Sequence, residues 1–229
     1  MVTKIGLDLG YANITLSDVT CEIYREPSVA LVHKEAGGDS GRIIAVGNDA
    51  LSMSSDTSND AVIVRPFKNG ILFDQQITKE IIEHSIKALG VTEKIRAVIG
   101  VPSDFLPKQE RELFAMLSSA GVDTAFSVAR PVAALIGAGY SPSMSVISVN
   151  IGAQSTELAV LNRGEILAMH REQIGGEDFD RAVKQYILDQ GDVNISLSVA
   201  RAIKERLGAV YKGKPNDSID IEGTFIKAK

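Results

Sequence analysis

The sequence predicts an α/β fold in which mixed sheets are flanked by helices and one structural unit is used twice. A strand–glycine turn–strand order runs through Lys4–Leu9, Gly10 and Asn13–Ser17. It returns at Ser145–Asn150, Gly152 and Thr156–Leu161, and an internal repeat of this kind says more than either copy alone. Between the copies, Ala97-Val98-Ile99-Gly100-Val101-Pro102 is a continuous apolar run short enough to be a buried central strand.

The remaining elements follow in chain order. A third strand is expected near Ser28–Val32, and another at Arg42–Val46 after the glycine-rich turn Ala36–Gly41. Ser52–Asp60 is polar and reads as a loop. Ile77, Ile81, Ile82, Ile86 and Leu89 then share one face of a helix closed by Gly90. Pro107 opens a second helix, with Leu113, Leu117 and Ala120 inward and Gly121 at its end. A strand near Phe126–Val128 leads to Pro131 and a small-residue helix, Val132–Ala138. After the repeated unit and a strand at Ile166–His170, Phe179, Val183 and Ile187 stripe one helix. Ala200, Ile203, Leu207 and Val210 stripe the next. The segment Lys212–Asp217 is polar, and Ile219–Ile226 reads as a short strand.

Composition narrows the function. A net charge of −5 without a Lys/Arg block argues against nucleic acid as a main partner. Cys21 stands alone, which excludes an internal disulfide framework. His33, His84 and His170 are scattered, whereas a metal site gathers several ligands at one point. The first residues enter a strand directly, with no basic leader and no apolar stretch long enough to span a bilayer, so a cytoplasmic location is expected.

Chemistry concentrates at the two glycine turns. Asp8-Leu9-Gly10 and Asn150-Ile151-Gly152 each follow a strand and precede another. Glycine at such a tip lets backbone N–H groups approach an anion, and two related turns facing each other could clamp a polyphosphate. Ile5–Asn13 resembles the first phosphate motif of the actin/heat-shock-chaperone superfamily in its MreB form, and Asn150–Glu157 sits where the second belongs. Glu26–Val29, Ala45–Gly47, Arg65–Gly70 with Asp74, and Val98–Ser103 resemble further MreB segments in the same order. Pro131–Gly139 is similar to the MreB interdomain helix, and Ile174–Asp180 to the helix start that follows the second motif.

The resemblance implies an actin-like (ribonuclease H-like) duplicated fold with an incomplete second half. Residues 1–140 would be the first half, with a small-subdomain insertion at about 31–65. Residues 141–229 would be a partial second half: a strand meander at about 141–176 and a small helical subdomain at about 177–229. It also implies ATP with Mg²⁺, held by Asp8, Gly10, Tyr11, Ala12 and Asn13 from the first turn. The second turn and the helix start would give Asn150, Gly152, Ala153, Gln154, Ser155, Gly175 and Gly176. Arg201, Lys204 and Glu205 would contact the adenosine, Asp8 would arrange the metal through water, and Glu110 would orient the attacking water. Read from its position alone, Glu110 is a solvated first-turn helix glutamate favoured by the helix dipole, and Gln109, one residue away, is the other residue that the alignment could place there.

Three departures from the family pattern set the functional alternatives. Asn150 stands where the family has Asp, and Ala153 and Gln154 stand where it has glycine. Tyr11 replaces a small hydroxyl residue and is equally a packed aromatic beside the turn. These changes point to slow hydrolysis or none. Ending at Lys229, the sequence is expected to be a fragment or a short form whose missing wall comes from a partner. No apolar loop precedes Arg96 and no amphipathic helix opens the chain, so direct membrane insertion is not expected. The implied function is an ATP-binding cytoskeletal protein that forms nucleotide-gated filaments in bacterial cell shape, with room for membrane-bound partner proteins. The alternative is a degenerate, non-hydrolysing scaffold of the pilus-assembly or division type.

Overall fold

The computed structural model describes residues 2–20, 23–33, 41–54, 60–68, 70–141, 143–209 and 218–225. Strands β1 (Val2–Leu9), β2 (Asn13–Asp18) and β3 (Ile23–Pro27) form an antiparallel meander. The chain then builds a separate small sheet, ordered β5-β4-β6, from β4 (Ala30–His33), β5 (Arg42–Val46) and β6 (Ala61–Val64). Helix α1 (Gly47–Ser54) covers it. A hairpin of β7 (Phe67–Lys68) and β8 (Ile71–Leu72) returns to α2 (Gln75–Ala88), whose first turn is capped by Asp74 accepting from Ile77 N–H at 2.9 Å. Strand β9 (Lys94–Val101), helix α3 (Pro107–Ser119) and strand β10 (Thr124–Ala129) complete the first sheet in the order β10-β9-β1-β2-β3. The two added strands run parallel to β1.

Helix α4 (Arg130–Gly137) crosses to a second antiparallel sheet, β11 (Ser145–Ile151), β12 (Thr156–Asn162) and β13 (Glu165–Glu172), in sequence order. Helices α5 (Gly176–Gly191) and α6 (Leu197–Leu207) follow. Between them β14 (Val193–Asn194) pairs with β15 (Thr224–Phe225). The second sheet thus repeats the β1-β2-β3 meander, as the duplicated pattern predicts.

The main core lies on one face of the first sheet. Alternate residues of β1 (Ile5, Leu7, Leu9) and β9 (Ile95, Ala97, Ile99, Val101) are buried against Ile77, Ile81 and Ile82 of α2 and Leu113, Met116 and Leu117 of α3. A smaller cluster joins Leu135 of α4 to Ala159 and Leu161 of β12. Each sheet carries its core on one face only.

Several elements differ from the sequence reading. The strand expected near Ser28–Val32 is β4 of the small sheet, and the first sheet's third strand is β3, whose Arg25 and Glu26 hide its alternation. Ser52–Ser54 end helix α1 rather than starting a loop. Among that short helix's side chains only Ala50 is buried, so it carries no apolar period. The apolar run in β9 is central but not buried on both sides, since Val98 is 49% exposed. In α5 the expected inward stripe is not the buried one: Phe179 is exposed, while Glu177 and Asp180 are buried. Residues 36–40, Val210, Lys212–Asp217 and Ile226 lie outside the described residues.

Candidate functional site

The two glycine turns share one geometry. Gly10 N–H donates to Asn13 O at 3.0 Å, and Gly152 N–H donates to Ser155 O at 2.8 Å. Both turns line a single cleft of about 360 Å³, a volume in the range of small-molecule sites, roughly 300–1,000 Å³. One wall is Asp8, Gly10, Tyr11, Ala12 and Asn13; the other is Gly152 and Ala153, continued by Gly176 of α5 and by Arg201, Lys204 and Glu205 of α6.

Four predicted residues stand behind that lining. Asn150 is a β11 residue paired across the sheet with Glu157, and Ser155 closes its own turn. Gln154 turns its amide to Glu177, Nε2 donating to Oε2 at 3.2 Å. Gly175 is where α5 meets the second turn, and a Cβ there would lie 2.6 Å from the Ala153 carbonyl. Gly176 and Glu177 N–H groups donate to the carbonyls of Gly152 and Ala153 at 2.9 and 2.8 Å, fixing the helix start on the turn. Glu110 lies outside the cleft lining, its carboxylate accepting from the Ser127 hydroxyl of β10.

The sequence reading did not assign several charged residues that organise this cleft. Asp180 is fully buried, with Arg201 Nε at 3.1 Å and Lys204 Nζ at 2.6 Å. Glu177, almost buried, accepts from Gln154 and from Arg181 Nη2 at 3.0 Å. Burial first, then the nearby Glu177 carboxylate, pushes the Tyr11 phenol above the usual tyrosine value. Arg65 donates to the Tyr11 carbonyl at 3.1 Å and holds its guanidinium 5.1 Å from the ring centroid, a cation–π contact. Thr15 and Arg25 stand beside Asp8 in cross-strand register along β1, β2 and β3.

One signal for these residues was present in the sequence. Along β12, Glu157, Ala159 and Leu161 share the inward register, so a carboxylate in an apolar row asks for a partner. The structure supplies it: Ser103 N–H donates to Glu157 at 2.7 Å and Arg130 Nη1 lies 3.5 Å away.

The cleft offers backbone turns and cations to an anionic ligand, beside the carboxylates of Asp8, Glu177, Asp180 and Glu205. Two tight turns converge with Arg25, Arg201 and Lys204 at the same opening. For Mg²⁺, among the described residues no three or more Asp, Glu, His or Cys side chains gather as a metal site. Asp8 shares its Oδ1 with Arg130 Nε at 3.2 Å, and Asn150 brings no charge. Asp8, 57% exposed, is the first-turn carboxylate that a phosphate-bound Mg²⁺ would meet through its waters.

Comparison with known proteins places this architecture. The MreB/Mbl protein family model matches residues 2–228. The chain is 30% identical over 226 residues to the cell shape-determining protein Mbl of Bacillus cereus, covering 96% of this chain and 66% of that protein. It is 30% identical over 227 residues to the cell shape-determining protein MreB of Escherichia coli K12, covering 96% and 65%. It thus spans about two thirds of the length of these curated relatives. Among solved structures, MreB5 of Spiroplasma citri bound to ADP superposes with a TM-score of 0.89 at 23% identity, over 99% of this chain and 68% of that one. The MamK double helical filament superposes with a TM-score of 0.79 at 23% identity, over 95% and 68%. The repeated meander, the paired turns and the matched sequence agree: the chain belongs to the MreB/Mbl family.

Proposed function

We propose that the chain binds an adenine nucleotide between its two glycine turns, and that occupancy of this cleft gates self-association into filaments that act in cell shape. The observation that carries the reading is the convergence of two turns of identical closure, Gly10 to Asn13 and Gly152 to Ser155, on one cleft. The names of the relatives support the cell-shape role, and the ADP-bound and filament structures support the ligand and the assembly. In this reading the turns take the phosphates, while Arg201, Lys204 and Glu205 of α6 border the base and sugar. Cytoplasmic placement follows the same reading.

The test is titration of the purified chain with ADP and ATP by calorimetry, with Asp8→Ala and Gly10→Val as variants and sedimentation of the same samples as the assembly readout. Saturable nucleotide binding, weakened at least about tenfold by Gly10→Val, is expected. Absence of binding to either nucleotide overturns the reading.

Binding without turnover is a second reading, favoured by the position of Glu110. Its carboxylate is engaged by Ser127 and does not border the cleft. Phosphate release that Glu110→Gln abolishes would refute this second reading.

A further inference from the structure

The cations that line the cleft are Arg25, Arg201 and Lys204, and two of them are committed. Arg201 Nε and Lys204 Nζ lie 3.1 and 2.6 Å from the buried carboxylate of Asp180. Arg25 of β3 is exposed, and among the described residues no carboxylate pairs with it. Strand alternation explains why its neighbour does not neutralise it. Glu26 pairs with the buried Ile14 on the opposite face of the sheet, where Asn48 Nδ2 and His84 Nε2 approach it at 3.5 and 3.7 Å. Arg25 instead stands in register with Thr15 of β2, and Thr15 with Asp8 of β1. That row puts Arg25 on the wall that carries the first turn, two strand spacings, roughly 10 Å, from Asp8.

We propose that Arg25 binds the phosphate chain of the nucleotide, as the one lining cation whose charge is left for the ligand. This rests on the nucleotide reading above and gives its phosphate end a residue from outside both turns. The carboxylates nearest the turns are already matched, Asp8 by Arg130 and Glu177 by Arg181, so they do not compete for Arg25. Glu205 belongs to α6, on the other wall. A guanidinium is charged at every accessible pH, and its planar fork meets two phosphoryl oxygens at once. Arg201 and Lys204 share their charge with Asp180 and sit beside Glu205, the border assigned to base and sugar. Arg25 shares the first-turn wall with Gly10, where the phosphates are placed.

The experiment measures ADP and ATP affinity of the full chain by calorimetry in Mg²⁺ buffer, for wild type, Arg25→Lys, Arg25→Gln and Arg25→Glu. Melting temperatures without ligand are the control on folding. Affinity is expected to fall in that order, with Arg25→Gln weakened more than about fivefold, Arg25→Glu further, and melting temperatures unchanged. A smaller loss in Arg25→Gln overturns the proposal and leaves the nucleotide reading standing. Equal losses in all three variants, or losses that follow a lowered melting temperature, reduce Arg25 to a structural residue and also overturn it. A wild-type chain that binds neither nucleotide overturns both.

Discussion

Tyr11 shows how one substitution remakes a turn. Its ring lies under the Arg65 guanidinium, and its phenol feels the charge of Glu177 on the helix that abuts the second turn. Burial, then the nearby Glu177 carboxylate, raise the phenol's pKa above 10.0, and Arg65 offsets part of the rise. The linkage has a definite sign. Above the ordinary tyrosine value the unfolded chain ionises while folded Tyr11 stays protonated, so rising pH favours unfolding. The contribution is therefore complete below about pH 10 and lost as pH climbs through the raised value. Melting temperatures of wild type and Tyr11→Phe, compared at pH 8 and above pH 10, should show a steeper alkaline loss in wild type. Equal losses would mean that Tyr11 is not held as described.

At the scale of elements, stability comes from one face of the first sheet and the two helices against it. Leu117 of α3 is fully buried, whereas Phe126 of β10, on the neighbouring strand, is 58% exposed. Leu117→Ala should cost about 2–5 kcal/mol, through lost transfer energy and a residual cavity, and Phe126→Ala less than about 1 kcal/mol. Chemical unfolding of the two variants checks the contrast. Helices α2 and α3 were legible in the sequence because Ile77, Ile81 and Ile82, and Leu113 and Leu117, recur with the helical period against a real core. The strand β3 was not, because Arg25 serves the cleft and breaks its pattern. Nor was the orientation of α5, where Glu177 and Asp180 are buried by ionic partners rather than by apolar contact, so a hydrophobic stripe could not reveal them.

For the whole molecule, the duplication read from two glycine turns places both on one cleft, and that placement depends on charges the repeat does not display. Asp8, Gly10 and Gly152 were visible as a pattern. Arg130 was not, because its bonds reach back 121 residues to Leu9 and forward 27 to Glu157, and pairings at that separation have no local signature. The second sheet also presents an uncovered row, Ile147, Val149 and Ile151, at 65%, 56% and 62% exposure. Apolar patches of this kind mark contact surfaces or association liabilities. Replacing Ile147 and Val149 together with Lys should lower binding of the dye ANS and concentration-dependent light scattering without lowering the melting temperature, since neither residue packs in the core. Unchanged dye binding would place the apolar surface elsewhere.

The stack of Arg65 on Tyr11 has an optical consequence. The chain contains five tyrosines and no tryptophan, so its intrinsic emission is tyrosine emission alone. The Tyr11 ring borders the cleft with a cation on its face and the Glu177 carboxylate in the same lining. Any ligand that enters between the turns and shifts Arg65 or Glu177 alters that emission, so the protein carries its own unlabelled reporter of whether the cleft is filled.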